Sequence, residues 1–166
     1  MDSIPLHRLV LVGEANPYGA APRYALYDEP AQSAGARLRR KLLGVHRRTY
    51  FGERVVRLNL CPRAWNRAQA QDRARQILQE HAADVVVMLG RKVAEAFLLP
   101  DMPPFSTRQL IGGPLMVSLA HPSGLCREWS KPGSVERARG AIRGACPWFP
   151  VGEADAATDG EEDVSK

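Results

Sequence analysis

Three polar segments each follow directly on an apolar, β-prone run, and this repetition confines the chain to an α/β plan. Leu9-Val10-Leu11-Val12 leads into Gly13-Glu14-Ala15-Asn16-Pro17-Tyr18-Gly19, and Val55-Val56-Arg57-Leu58 into Asn59-Leu60-Cys61-Pro62. Leu115-Met116-Val117-Ser118-Leu119-Ala120 leads into His121-Pro122-Ser123-Gly124-Leu125. Parallel strands present their carboxyl ends on one rim of a sheet, so three such loops meet there and form the usual location of an α/β site.

Helical periodicity fills the intervals. Ala34, Leu38 and Leu42 recur at helical spacing, with Gly44 placed to cap the carboxyl end. A helix is predicted over 66–81, with Ala70, Ala74, Ile77 and Leu78 on one face. The run 84–90 reads as a strand buried on both faces, followed by a helix over 92–98. Residues 108–111 suit a short edge strand, and Ser134 suits the cap of a closing helix carrying Val135, Ala138 and Ile142. The expected fold is α/β: a three-layer α/β/α sandwich around a short, mostly parallel four-stranded sheet. Residues 1–150 form the expected domain, and 151–166 an acidic, disordered tail.

Charge sharpens the reading once it is divided at that boundary. The tail holds six acids and one base, which leaves 22 bases against 12 acids in residues 1–150, a body charge of +10 against +5 for the whole chain. Nineteen of those bases are Arg, whose planar fork suits phosphate. A polyanionic partner, nucleic acid first, fits such a body, as does a solvated Arg-rich surface. The three cysteines, Cys61, Cys126 and Cys146, are far apart, so neither a metal site nor a disulfide framework is expected, nor any cofactor. No apolar run reaches the roughly 20 residues of a membrane helix, and no secretory leader is evident. A cytoplasmic monomer without membrane contact is the expectation.

Each loop has a structural and a chemical reading. The first lacks the terminal Gly-Lys-Ser/Thr of a P-loop and is not Gly-x-Gly-x-x-Gly. It presents Glu14, Asn16 and Tyr18 on a Pro-set turn, or simply closes a βα connection as an Asx-turn. Asn59 lies between leucines, where an amide without partners costs roughly 1–3 kcal/mol. Its acceptor and donors match the O4 and N3–H of uracil or thymine, or, turned over, cytosine; it could equally satisfy loop backbone. His121 can donate to an anion developing on a leaving group, a contribution of about 10²–10³ in rate, or be a satisfied core histidine. Ser123 and the backbone at Gly124 can bind phosphate, and Leu125 can wedge into a base stack.

With these residues in view, the chain resembles the uracil-DNA glycosylase superfamily over most of its body, from about Leu9 to Ile142. Asn59-Leu60-Cys61-Pro62-Arg63-Ala64-Trp65-Asn66-Arg67 is similar to the Asn…Cys-Arg-Pro-Pro-Gly-Asn-Arg segment of the bacterial and archaeal iron–sulfur branch, and Val86-Val87-Met88-Leu89-Gly90-Arg91 resembles its Ala-Leu-Gly-Arg strand and turn. His121-Pro122-Ser123-Gly124-Leu125 looks like the His-Pro-Ser-Pro-Leu of other branches. The resemblance implies a monofunctional glycosylase that flips a damaged base out of DNA and hydrolyses its N-glycosidic bond. It implies catalytic roles for His121 and for Asn16 or Glu14, base binding by Asn59, Tyr18 and Tyr27 (or Tyr24), and DNA contacts by Ser123, Gly124, Leu125 and Arg127. The first motif departs from the family's patterns by one residue, which leaves Asn16 and Glu14 as alternative catalytic groups. Cys61 and Cys146 match cluster cysteines but the amino-terminal pair is missing, so no iron–sulfur cluster is expected. A catalytically silent DNA-binding module of the same fold, or an α/β enzyme acting on a free nucleoside or nucleotide, are the alternative functions.

Overall fold

The computed structural model describes residues 7–16 and 21–155. Four strands, β1 (Leu9–Ala15), β2 (Val55–Cys61), β3 (Val85–Leu89) and β5 (Leu115–Leu119), run parallel, and β4 (Thr107–Gln109) joins β5 antiparallel. The order across the sheet is β2-β1-β3-β5-β4. The fold is therefore α/β with a mostly parallel sheet flanked by helices, but the sheet has five strands rather than four. The addition is the edge strand expected at 108–111, shifted to Thr107–Gln109; the hairpin turn at Gly112 and Gly113 lets it return alongside β5. All three of its residues are exposed, so it carried little hydrophobic signal.

Alternation along the strands divides the core. Val10, Val12, Val86, Met88 and Met116 face α3 (Arg67–Glu80) and α4 (Arg91–Ala96) through Ala70, Ala74, Ile77 and Val93. Leu9, Leu11, Val85, Val87, Leu89, Val117 and Leu119 face the other layer. That layer comprises α1 (Ala34–Arg37) with its π-helical continuation Leu38–Leu43, the short α2 (Arg47–Tyr50), and α5 (Ser134–Ala145). A strand buried on both faces needs apolar residues throughout, which is why β3 and the Leu9–Val12 part of β1 read as unbroken apolar runs.

The helix termini follow their sequence signals with one exception. Asn66 caps α3, its Oδ1 accepting from the Gln69 amide at 2.9 Å, and Gly44 takes a left-handed φ of 62° at the end of the π-helical turn. Ser134 is not the cap of α5: Gly133, at φ 78°, occupies that position. The Ser134 hydroxyl donates to the Glu128 carbonyl at 2.6 Å instead.

The carboxyl-terminal boundary also moves. Residues 151–155, assigned above to a disordered tail, are fastened to the body by Gly152 N–H to Leu43 O and Ala154 N–H to Gly44 O, at 2.9 and 2.8 Å. Arg139, buried against the carbonyls of Lys41 and Leu42, pairs with Asp155. A buried guanidinium needs a counter-charge, and an acid from the presumed tail supplies it.

Candidate functional site

The chain passes from β1 to β2 on one side and then to β3 on the other side of β1, so the connections diverge at the carboxyl end of β1, where open α/β sheets form crevices. A cavity of about 280 Å³ lies there. Glu14, Asn16, Asn59 and His121 line it together with Tyr24, Leu26, Tyr27 and Arg63. The carboxyl ends of three strands thus bring together four of the polar residues singled out in the sequence, Glu14 and Asn59 within β1 and β2 and Asn16 and His121 just after β1 and β5, with Tyr27 and Tyr24 beside them. Tyr18 lies outside the described residues. At the low end of the roughly 300–1,000 Å³ typical of small-molecule sites, the cavity suits a single ring better than a whole nucleotide.

Asn59 is opposite Gly13 in the β1–β2 register. A Cβ at position 13 would come within 2.8 Å of Asn59 Oδ1 and 2.9 Å of Leu26 Cδ2, so the missing side chain is what lets the amide and Leu26 close over β1. No side-chain hydrogen bond holds the Asn59 amide among the described residues. Its donors and acceptor are therefore available to a ligand in the cavity. Asn16, 5% exposed, closes the end of β1 nearby.

His121 is held in one orientation. The Ser123 amide donates to its Nδ1 at 3.1 Å, so the neutral ring carries its proton on Nε2. That nitrogen points into the site, 4.0 Å from Glu14 Oε1. The Trp129 indole donates to the His121 carbonyl at 2.7 Å. Gly90, at φ 106°, packs so closely that a Cβ there would lie 3.1 Å from the Cβ of His121. Glu14 is the only carboxylate among the described residues that line the cavity.

Leu26 and Tyr27 of the lining belong to the segment 25–28, each residue of which is fixed by a different side chain. Arg57 of β2 donates to the Ala25 carbonyl at 2.7 Å, Tyr50 Oη to the Leu26 carbonyl at 2.5 Å, and Ser33 Oγ to the Tyr27 carbonyl at 3.2 Å. Asp28, buried, takes Arg39 at 2.8 Å and Arg47 at 3.0 Å. Leu26 has a positive φ of 50°, a conformation that persists for a γ-branched residue only where surroundings over-determine it. Burial pushes the Tyr50 hydroxyl well above the usual phenol range, and lowers Arg57 despite the opposing influence of Tyr50 and Asp28. Tyr50 consequently stays a neutral donor. Tyr24 and Tyr27 meet edge to face at 5.4 Å in the lining. The sequence analysis missed Tyr50, Arg57, Asp28 and Arg39. Their partners are main-chain carbonyls or charges far away in sequence, which no spacing rule exposes.

The third loop carries the expected DNA contacts on its surface. Ser123 Oγ accepts from the Leu125 amide at 3.1 Å and Ser123 O from the Cys126 amide at 3.1 Å, forming a tight turn. Leu125 stands on it with 93% of its surface exposed. Arg127 is exposed just beyond, and Gly124 lies beside Arg37, whose Nη1 would be 3.3 Å from a Cβ on that glycine. The turn thus displays an apolar tip, with Arg37 beside Gly124 and Arg127 exposed two residues after the tip.

A second concavity of about 700 Å³ lies on the far side of Asn16 and Asn59, which line both. Its other walls are the edge strand β2, the segment 21–25 and α3. Among the described residues, no three or more His, Cys, Asp or Glu are grouped to hold a metal ion, and no helix is long and apolar enough to cross a membrane. Neither a protein-family model nor a curated protein matches this sequence.

Proposed function

We propose that the protein is a DNA glycosylase of the uracil-DNA glycosylase type, which flips a pyrimidine or related deaminated or modified base into the 280 Å³ cavity and hydrolyses its N-glycosidic bond. The observation that carries this reading is the convergence of the unengaged Asn59 amide and the Nε2–H of His121 on one ring-sized cavity. The exposed Leu125 beside Arg37 and Arg127 supports it independently, as does the body charge of +10.

The chemistry follows from the placement. Asn59 pairs with the O4 and N3–H edge of the base, and Tyr27 or Tyr24 offers a ring face to stack on. As the bond from C1′ to the base nitrogen lengthens, negative charge gathers on the base O2, where the His121 Nε2–H donates to it. Positive charge gathers on the sugar, where the Glu14 carboxylate opposes it and accepts a proton from the attacking water. The bond from water oxygen to C1′ forms as the base departs with the bonding pair. Glu14 takes this role in preference to Asn16 because it is ionisable, lines the cavity and faces His121. Asn16, a neutral amide, positions the water.

Cys61 and Cys146 belong to core clusters on opposite faces of the sheet, and burial pushes the Cys146 thiol up to about 11. They do not fit a shared iron–sulfur cluster, and no step uses one.

The test is single-turnover excision from labelled oligonucleotides bearing uracil, mispaired thymine, 5-substituted uracils or deaminated purines, with His121→Ala as control. The reading expects excision of at least one base and a loss of about 10²–10³ in the control. Silence on every base would overturn it.

A further inference from the structure

The larger concavity has a composition that the base cavity does not explain. α3 turns Gln69, Asp72, Arg73 and Gln76 towards it, at i, i+3, i+4 and i+7, while Ala70, Ala74 and Ile77 are buried on the sheet side. The two charged members of this stripe each have an ion-pair partner: Asp72 pairs with Arg75, and Arg73 with Glu80 at 3.4 Å. Arg57, also in the lining, is committed to the Ala25 carbonyl. The other polar groups of the lining are amides: Gln69 and Gln76 on α3, Asn66 at its cap, whose Oδ1 accepts from the Gln69 N–H, and Asn16 and Asn59 on the shared wall. The Gln76 carbonyl accepts from Arg73 at 3.1 Å, which leaves its NH₂ as donor.

Neutral amides offering donor and acceptor side by side complement the edges of nucleobases, which present both, more fully than phosphates, which only accept. The volume of about 700 Å³ exceeds that of the base cavity by a wide margin, and the two share the Asn16–Asn59 wall. An occupant of the groove therefore sits directly beside the base in the first cavity. We propose that the groove between β2 and α3 is a second nucleobase site, which takes an unpaired nucleotide next to the excised one on the same strand. The assignment rests on the reading that the first cavity holds a DNA base. Its consequence is a preference for single-stranded or locally melted DNA, because a paired neighbour cannot leave the duplex to enter the groove.

Two measurements on single-stranded oligonucleotides with one target base test this: binding by fluorescence anisotropy, and single-turnover excision. The nucleotide on either side of the target is replaced in turn by an abasic spacer, and the full-length protein is compared with the double variant Gln69→Ala, Gln76→Ala. Both substitutions lie on the exposed face of α3, so folding is retained. The expected result is about tenfold weaker binding for a spacer on one side only, the loss of two ordinary hydrogen bonds, with that penalty absent in the variant. A spacer penalty equal in both proteins, or none on either side, would overturn the assignment. Normal excision without a spacer effect removes the second site and leaves the glycosylase. Spacer-sensitive binding without excision of any base removes the glycosylase and leaves the groove as a base-binding site.

Discussion

Substituting Gly13 by Ala should cripple the site while leaving the fold intact. The added Cβ would stand 2.8 Å from Asn59 Oδ1 and 2.9 Å from Leu26 Cδ2, whereas ordinary contact begins near 3.4 Å. Asn59 must therefore retreat by about 0.6 Å and Leu26 by about 0.5 Å. A displacement of about 1 Å in a positioning group can cost on the order of 10²-fold in rate, so 0.6 Å should cost on the order of tenfold or more. Stability responds less. Ala gains roughly 0.5–1 kcal/mol over Gly within a strand, while overpacking costs about 1–3 kcal/mol. The net loss is on the order of 1–2 kcal/mol, to be read from urea denaturation beside single-turnover excision on the best substrate. Adding Leu26→Ala should remove one of the two clashes and recover stability without restoring the rate, because Asn59 remains displaced. A Gly13→Ala rate within about twofold of wild type, in a folded protein, would show that the Asn59 amide is not read at this position.

Other outcomes follow from single contacts. Tyr50→Phe removes the hydroxyl that donates to the Leu26 carbonyl at 2.5 Å; chemical denaturation should show a loss of about 1–3 kcal/mol for the carbonyl left without its donor. Leu125→Ala should leave the melting temperature unchanged, since the side chain is 93% exposed, and should slow excision from duplex more than from single strands, where no paired stack has to be opened. The Arg139 hydrogen bond holds the Asp155 carboxyl below the usual carboxylate range. Its contribution is therefore complete above the unfolded value of about 3.9 and is lost as pH falls through the lower folded value. Melting curves of wild type and Asp155→Asn should accordingly differ at neutral pH and converge in acid.

The parts of this molecule legible from sequence were those written in local periodicity. β3 and the Leu9–Val12 part of β1 are apolar because both faces are covered, and α3 shows its buried Ala70, Ala74 and Ile77 at helical spacing. The exposed β4 had no such pattern, so the edge strand expected at 108–111 was misplaced and left out of the strand count. Asn59 and His121 could be found because a polar residue ending an apolar strand is conspicuous. Tyr50 and Arg57 could not, because each acts on a main-chain carbonyl more than twenty residues away. Asp155 was misread for the related reason that composition assigns an acid to a tail, while its partner Arg139 lies in another element. Gly13 stood only as the first residue of a polar segment, and the register with Asn59 reveals it as a space kept clear.

The central claim, that this rim breaks an N-glycosidic bond, is tested most directly by mass spectrometry of both products after a single turnover. An oligonucleotide with one target base is incubated in ¹⁸O-water with wild-type protein and with His121→Ala. Free base and an abasic strand carrying solvent oxygen at C1′ are expected with the wild type, formed about 10²–10³ times more slowly by the variant. An intact strand across all bases, or equal release by the two proteins, would contradict the claim.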